Sequence, residues 1–337
     1  MTTLAPRRIR VVLPSRRDPR LKLSAVIVTL QVLGQTVLDF KVSIAQILVS
    51  IGVCAAIDIV LTLRRDGVLA WPASALLTGN SIGFILRASG TQHGDWWSLH
   101  GVHFFVLAAV AAMASKHLVR PAGRHVFNPS NAGLVLVLLV IGPVHVFPQY
   151  LWWGPVGVPL GLALAVIALG AAFVLRQVRM MQMALAFLAT FAALIAVFAL
   201  AGRSFVAIWH DGAISGFDYW VYICTSPELF VFVFFMMSDP QTSPRSTSRR
   251  MAYGAATAVV AAALLLPQTT EFGVKLALLS GLTVVCGAMA VRRLEWRRAS
   301  AAAVAVVAAI ALVGTVALAG DESLTLIERG LTGRNAQ

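Results

Sequence analysis

The chain predicts an all-α polytopic membrane protein, and three observations predict it. Hydrophobic residues make up 58% of its 337 residues and charged residues only 12%, where a soluble domain carries roughly 25% charge. Apolar runs approaching the roughly 20 residues needed to cross a bilayer recur along the whole length, leaving no stretch for a soluble domain. The basic residues, finally, are gathered at alternate gaps between those runs.

Twenty-one of the 27 Lys and Arg residues fall within residues 1–22, at Arg64-Arg65, and in Lys116 to Arg124, Arg176 to Arg179, Arg245 to Arg250 and Arg292 to Arg298. Only Lys41, Arg87, Arg203, Lys275, Arg329 and Arg334 remain for the other side. Short cytoplasmic loops concentrate Lys and Arg, so the clustered side is expected to be cytoplasmic. The net charge of +13 then reports orientation, and no nucleic-acid partner is needed to explain it. Trp96-Trp97, Tyr150 to Trp153 and Tyr219-Trp220 map to the opposite side, where an aromatic belt at the outer interface is expected. Cys54, Cys224 and Cys286 sit singly inside apolar runs without metal-ligand spacing, which predicts small core residues. The polar, basic N-terminal stretch lacks a short apolar core with a cleavage site and reads as a cytoplasmic tail.

Eleven apolar segments are expected, at about Leu23–Phe40, Val42–Leu63, Trp71–Leu86, Trp96–Ala114, Asn128–Phe147, Val158–Leu175, Met183–Ala201, Tyr219–Met237, Met251–Leu266, Val274–Val291 and Ala299–Ala319. An odd number puts the N-terminus inside and the C-terminus outside. Two segments are interrupted. The third carries Thr78-Gly79-Asn80-Ser81, and the eighth carries Thr225-Ser226-Pro227-Glu228, a helix-start signature inside an apolar run. Beyond it, Glu228 to Met237 covers only about 15 Å, roughly half the hydrocarbon. Paired broken segments point to a transporter-like inverted repeat. The expected organisation is a basic tail (1–22), a membrane domain (23–294) with repeats at about 23–147 and 158–294, an additional helix (299–319) and an external tail (320–337).

Two stretches carry the chemistry. In Ser115 to Gly133, Pro129 suits a first helical turn and Asn128 a cap, while Asn131 lies one turn on, on the same side. Two side-chain amides facing one way at a helix mouth can read a ligand by hydrogen bonds; a cap alone is the competing reading for Asn128. In Phe235 to Tyr253, Ser-Asp-Pro-Gln-Thr ends an apolar run, either as a rigid turn or as a set of amides presented to an anion.

In these stretches the chain resembles the RnfD/NqrB family, the membrane subunits of Rnf and sodium-pumping NADH:quinone oxidoreductase complexes. The resemblance rests on Ala73 to Gly79, Ser115 to Leu118, Phe127-Asn128-Pro129 and Phe235 to Pro244, in order across roughly residues 70 to 260. It implies a ten-helix, urea-transporter-like fold that holds flavins and passes electrons across the membrane. A noncovalent flavin, riboflavin or FMN, would then lie against Asn128 and Asn131, with Thr78, Asn80, Asp239 and Thr242 as further cofactor-binding candidates. The family's second flavin is an FMN joined to a threonine in an outer Ser/Asp-Gly-Ala-Thr stretch. Here that stretch, His210 to Asp218, has Asp218 where the threonine is expected, so covalent FMN is not expected. The resemblance is therefore to a divergent branch, such as those found beside enediyne-type biosynthetic genes.

Glu228 and Asp58 are ionisable groups inside apolar segments, and with Ser226 they are candidates for a pore or coupling role. A first-turn acid would explain Glu228 and an interfacial position Asp58. His100 and His103, one turn apart, have the spacing of a haem or metal pair, though interfacial histidines without a ligand are commoner. No phosphate-binding glycine loop, hydrolase triad or nicotinamide fingerprint is present, so electrons would have to come from partner subunits. Three functions are compatible with these features: a flavin-binding redox subunit of a multi-subunit assembly, a channel or carrier for a small polar solute, and a membrane anchor for an extracytoplasmic partner.

Overall fold

The computed structural model describes residues 10–13, 15, 18–120, 124–291 and 298–319, with side chains of the last stretch from Val304 onward. The expected tail 320–337, Ser323 within it and the basic run Arg292 to Arg297 lie outside the described residues.

A helix forms at each expected apolar segment, because the bilayer-length runs are rich in Ala, Leu and Val and carry recognisable ends. Helix α1 (Pro19–Thr36) starts on Asp18, whose carboxylate accepts from the Arg20 amide, with Pro19 in the first turn. Helix α2 (Ile44–Asp66) has a reciprocal capping box between Ser43 and Gln46 and stops at Gly67, which takes the left-handed conformation a C-terminus favours. There follow α3 (Ala73–Ile85), α4 (Val102–Leu118), α5 (Pro129–Ile141), α6 (Val158–Val178) and α7 (Met181–Leu200). The eighth segment is divided into α8 (Gly216–Cys224) and α9 (Pro227–Val231), and α9 runs on into a π-helical turn at Phe232–Met236. Helices α10 (Thr247–Leu265), α11 (Glu271–Val291) and α12 (Arg298–Leu318) complete the chain. By length and composition, α2, α6, α7, the divided segment Gly216–Met236 and α11 can cross a membrane, while α3, α4 and α5 are shorter apolar helices.

Among the described residues the expected all-α architecture acquires three two-stranded ribbons: β1 (Arg10–Val12) parallel to β2 (Val68–Ala70), β3 (Leu86–Ala88) antiparallel to β4 (Val146–Pro148), and β5 (Ser204–Val206) antiparallel to β6 (Ala213–Ser215). The β3–β4 ribbon has a structural reason. Helices α3 and α5 have 13 residues each, about 20 Å of rise, too little to cross roughly 30 Å of hydrocarbon. Each helix is followed by a strand of that ribbon, and the two strands satisfy each other's backbone groups where lipid could not.

Several expectations require correction. Thr78 to Ser81 do not interrupt the third segment; they are helical, and the break falls after Ile85. A Cβ on Gly79 would stand 2.5 Å from the Ser50 carbonyl oxygen, so this glycine serves the close approach of α3 to α2. Thr78 returns its hydroxyl to the Ser74 carbonyl, 2.9 Å away, so its polarity costs the helix nothing. The helix of the tenth segment, α11, begins three residues earlier than expected, at Glu271. His100 precedes α4 and His103 lies within it, so they share no helix face. The His100 ring bonds the Ser89 carbonyl at 2.8 Å, while the His103 ring sits 4.0 Å from that of Phe104. Trp96 and Trp97 are exposed as a belt requires, but Trp153 and Tyr219 are fully buried. Trp153 meets Phe40 and Phe84 edge-on in one aromatic cluster. The three cysteines are free and buried, as expected.

Candidate functional site

The two chemical stretches of the sequence meet in one cavity of about 540 Å³. Its walls come from the N-terminal ends of α1, α3 and α5, the C-terminal ends of α4 and α6, and the turn that follows the π-helical segment. Asn128, Pro129 and Ser130 line one side, Phe235 and Ser238 to Gln241 the other.

Asn128 builds this corner. Its side-chain oxygen accepts from the Asn131 amide at 3.1 Å and the Ser130 hydroxyl at 2.8 Å, closing the first turn of α5. Its amide nitrogen donates to the Met236 carbonyl at 3.0 Å, tying α5 to the π turn. Asp239 accepts from the Gln241 backbone amide at 2.8 Å and pairs with the His125 ring at 3.1 Å. Arg124 donates to the Pro240 and Gln241 carbonyls, so the links preceding α5 and α10 are bound together. At the opposite rim Arg20 forks onto Asp18, and this bond holds the Asp18 carboxyl below its ordinary pKa. Lys116 and Arg120 complete a basic rim, and Leu23, Leu77, Val174, Val178 and Phe235 supply apolar wall. The side chains of Ser74, Ser81 and Gln241 also line the cavity and make no hydrogen bond to the described residues.

The candidate residues divide accordingly. Thr78, Asn128 and Asp239 line the cavity. Asn131 does not, which corrects the expectation that both amides face one way. It is 1% exposed, and its amide donates to the Leu279 carbonyl (2.9 Å) and the Thr283 hydroxyl (2.8 Å), anchoring α5 to α11. Asn80 is buried away from the cavity with its side-chain oxygen unpaired, and Thr242 is buried behind Asp239, whose carbonyl accepts its hydroxyl at 3.3 Å. Asp58 lies between Lys116 and the His117 ring, at 2.9 Å from each, and ties α2 to α4.

A second polar site lies inside the protein at the divided segment. Ser226 caps α9, accepting from the Leu229 amide at 3.2 Å. The next residues bring Glu228 to 3.5 Å from the Lys275 ammonium, and the two are 5% and 3% exposed. Glu271, one turn before Lys275 on α11, is equally buried and accepts from the Leu151 amide. Arg87 of β3 is 9% exposed, stacks 4.0 Å over the Tyr150 ring, and keeps Nε and Nη1 unpaired. Sequence reasoning found Glu228 and Ser226 but counted Lys275 and Arg87 only as outer-loop charges, and passed over Glu271. The usable signal was the four-residue Glu271–Lys275 spacing, which puts both on one helix face.

Compared with known proteins, the chain matches no family model and no curated protein.

Proposed function

We propose that this chain is a membrane-integral, flavin-binding redox subunit that passes electrons within a multi-subunit assembly of a bacterial cytoplasmic membrane. The observation carrying this reading is the single cavity in which the Asn-Pro-Ser and Ser-Asp-Pro-Gln stretches meet. These are the stretches on which the resemblance to the RnfD/NqrB family rests. The volume, about 540 Å³, falls within the roughly 300–1,000 Å³ of small-molecule sites. Apolar side chains from α6 and the π turn suit a planar ring, the side chains of Ser74, Ser81 and Gln241, which have no hydrogen-bond partner among the described residues, suit its polar edges and ribityl chain, and the basic rim suits a phosphate. A bound flavin would supply one- and two-electron chemistry; the chain supplies a fixed frame and a rim that favours anions.

The packing supports two repeats, at about 23–147 and 158–294. Helix α4 packs on α5 as α10 packs on α11, α2 on α3 as α7 on α8, while α1 meets α6 and α5 meets α11 across the centre. In this reading the N-terminus is cytoplasmic, the C-terminus external and the cavity cytoplasmic-facing.

Absorbance of the detergent-purified protein tests the proposal. Bands near 370 and 450 nm, about one flavin per chain, are the expected result. Asn128→Leu removes both the cap of α5 and the bond to Met236, each worth about 0.5–1.5 kcal/mol to the frame of the cavity, and should weaken flavin binding by loosening that corner. A colourless protein that takes up neither riboflavin nor FMN overturns the reading. A second reading, a path for a small polar solute, is favoured by the buried Glu228–Lys275–Glu271 group at a divided helix. Colourless protein that transports solute in liposomes would select it.

A further inference from the structure

A second recess, of about 890 Å³, opens between the N-terminal end of α10 and the C-terminal end of α11, and the flavin reading does not use it. Its rim holds Arg124, Arg245 and Arg249, and no acidic residue is among the described residues that line it. Arg245 and Arg249 are exposed and make no ion pair or hydrogen bond among the described residues. Arg124 spends one terminal nitrogen on carbonyls of the neighbouring turn, which fixes it at the rim.

The start of α10 adds to this positive field. Its N-cap, Ser246, makes no side-chain capping bond, so the first-turn amides have no side-chain acceptor there and favour an anion. Below the rim the wall becomes apolar. Ala252 and Ala256 are one turn apart on α10, and Val285 and Met289 one turn apart on α11. From Ser246 to Ala256 the wall descends about 15 Å, through the depth at which a lipid passes from headgroup to chain.

We propose that this recess binds an anionic phospholipid, its phosphate held by Arg245 and Arg249 and its upper acyl chains lying on Ala252, Ala256, Val285 and Met289. A free phosphate ion would use the rim and leave the apolar descent uncovered. A nucleotide would require a ring to stack on, whereas the one aromatic residue among the described residues lining the recess, Tyr253, is 3% exposed with its hydroxyl against the Cys286 sulfur at 3.3 Å. An amphiphile with a negative head matches both halves.

Native mass spectrometry of the full-length protein in detergent, titrated with phosphatidylglycerol or phosphatidylcholine, tests the assignment. Phosphatidylglycerol should bind well above phosphatidylcholine. Arg245→Gln with Arg249→Gln should lower its affinity about 30-fold, at about one kcal/mol for each basic residue near a lipid headgroup, while the paired Lys variants retain most of it. Both arginines are on the surface, so the Gln variants keep the fold, checked by an unchanged elution volume. Ala252→Trp, which fills the recess below the rim, should reduce lipid retention with the arginines intact. Equal binding of the two lipids, or unchanged phosphatidylglycerol binding in the double Gln variant, overturns the proposal. Displacement of lipid by low-millimolar inorganic phosphate also overturns it and makes the rim a free-anion site.

Discussion

Lys275 offers the sharpest test of how the interior is held together. Its ammonium lies 3.5 Å from Glu228 and the pair is almost entirely shielded from solvent. At an effective dielectric constant of about 20, two unit charges at that separation attract by about 5 kcal/mol. Much of this offsets the cost of desolvating both ions, so the pair adds little net stability, but deleting one partner strands the other. Breaking a buried pair typically costs about 3–5 kcal/mol. Lys275→Met should therefore lower unfolding free energy by about that amount, the more so because Glu271 on the same helix face loses its cation too. Glu228→Gln should cost less, since Lys275 keeps Glu271. Combining the two should cost less than the sum of the singles, with a coupling of at least about 1 kcal/mol. Equilibrium unfolding in mixed micelles, run as a double-mutant cycle, measures this directly. Single effects that add to within about 0.5 kcal/mol would refute the argument, because independent sites behave that way.

Gly79→Val should destabilise the protein by at least about 1–3 kcal/mol, because the added carbon meets the Ser50 backbone at 2.5 Å. Gly52→Ala, where a Cβ meets nothing within 4 Å, should leave the melting temperature unchanged or raise it, since Gly within a helix costs about 0.5–1 kcal/mol relative to Ala; thermal unfolding in detergent compares the two. Cys54, Cys224 and Cys286 are all buried, so native protein should resist thiol reagents until denatured, as mass spectrometry would report. Against that silent background, Ser246→Cys should react only with reagents reaching the cytoplasmic side and Ser323→Cys only with those outside. The reverse pattern would invert the proposed orientation.

Much of the fold was legible because hydrophobic length is a local property. Each apolar run yields a helix, Ser226-Pro227 starts α9 as its cap chemistry dictates, and Asn128 caps α5. Polar residues within apolar runs were read less well, because the same residue can mark a break or be satisfied internally. Thr78 bonds its own helix and Gly79 admits a neighbour, so neither breaks α3. Asn131 was expected to turn towards a ligand; its partners on α11 lie about 150 positions away, beyond any local pattern. Glu271 and Lys275 were obscured for a related reason, since a charge near the edge of an apolar run reads as its boundary. What reversed that reading was the company of Glu228, brought in by a different helix.

The π turn at Phe232–Met236 has a consequence best expressed as an angle. A π turn accommodates one more residue than an α turn, and each residue of an α-helix advances about 100° around the axis. Everything after Met236 is therefore rotated by that amount relative to an uninterrupted helix. It is this offset that brings Ser238 and Asp239 round to the side occupied by Asn128, whose amide fills the carbonyl of Met236 at the end of the turn. Deleting a single residue between Phe232 and Phe235 would restore an even helical pitch while preserving every side chain of the cavity in the sequence. The two halves of the binding wall would then be out of phase, with Asp239 carried away from His125.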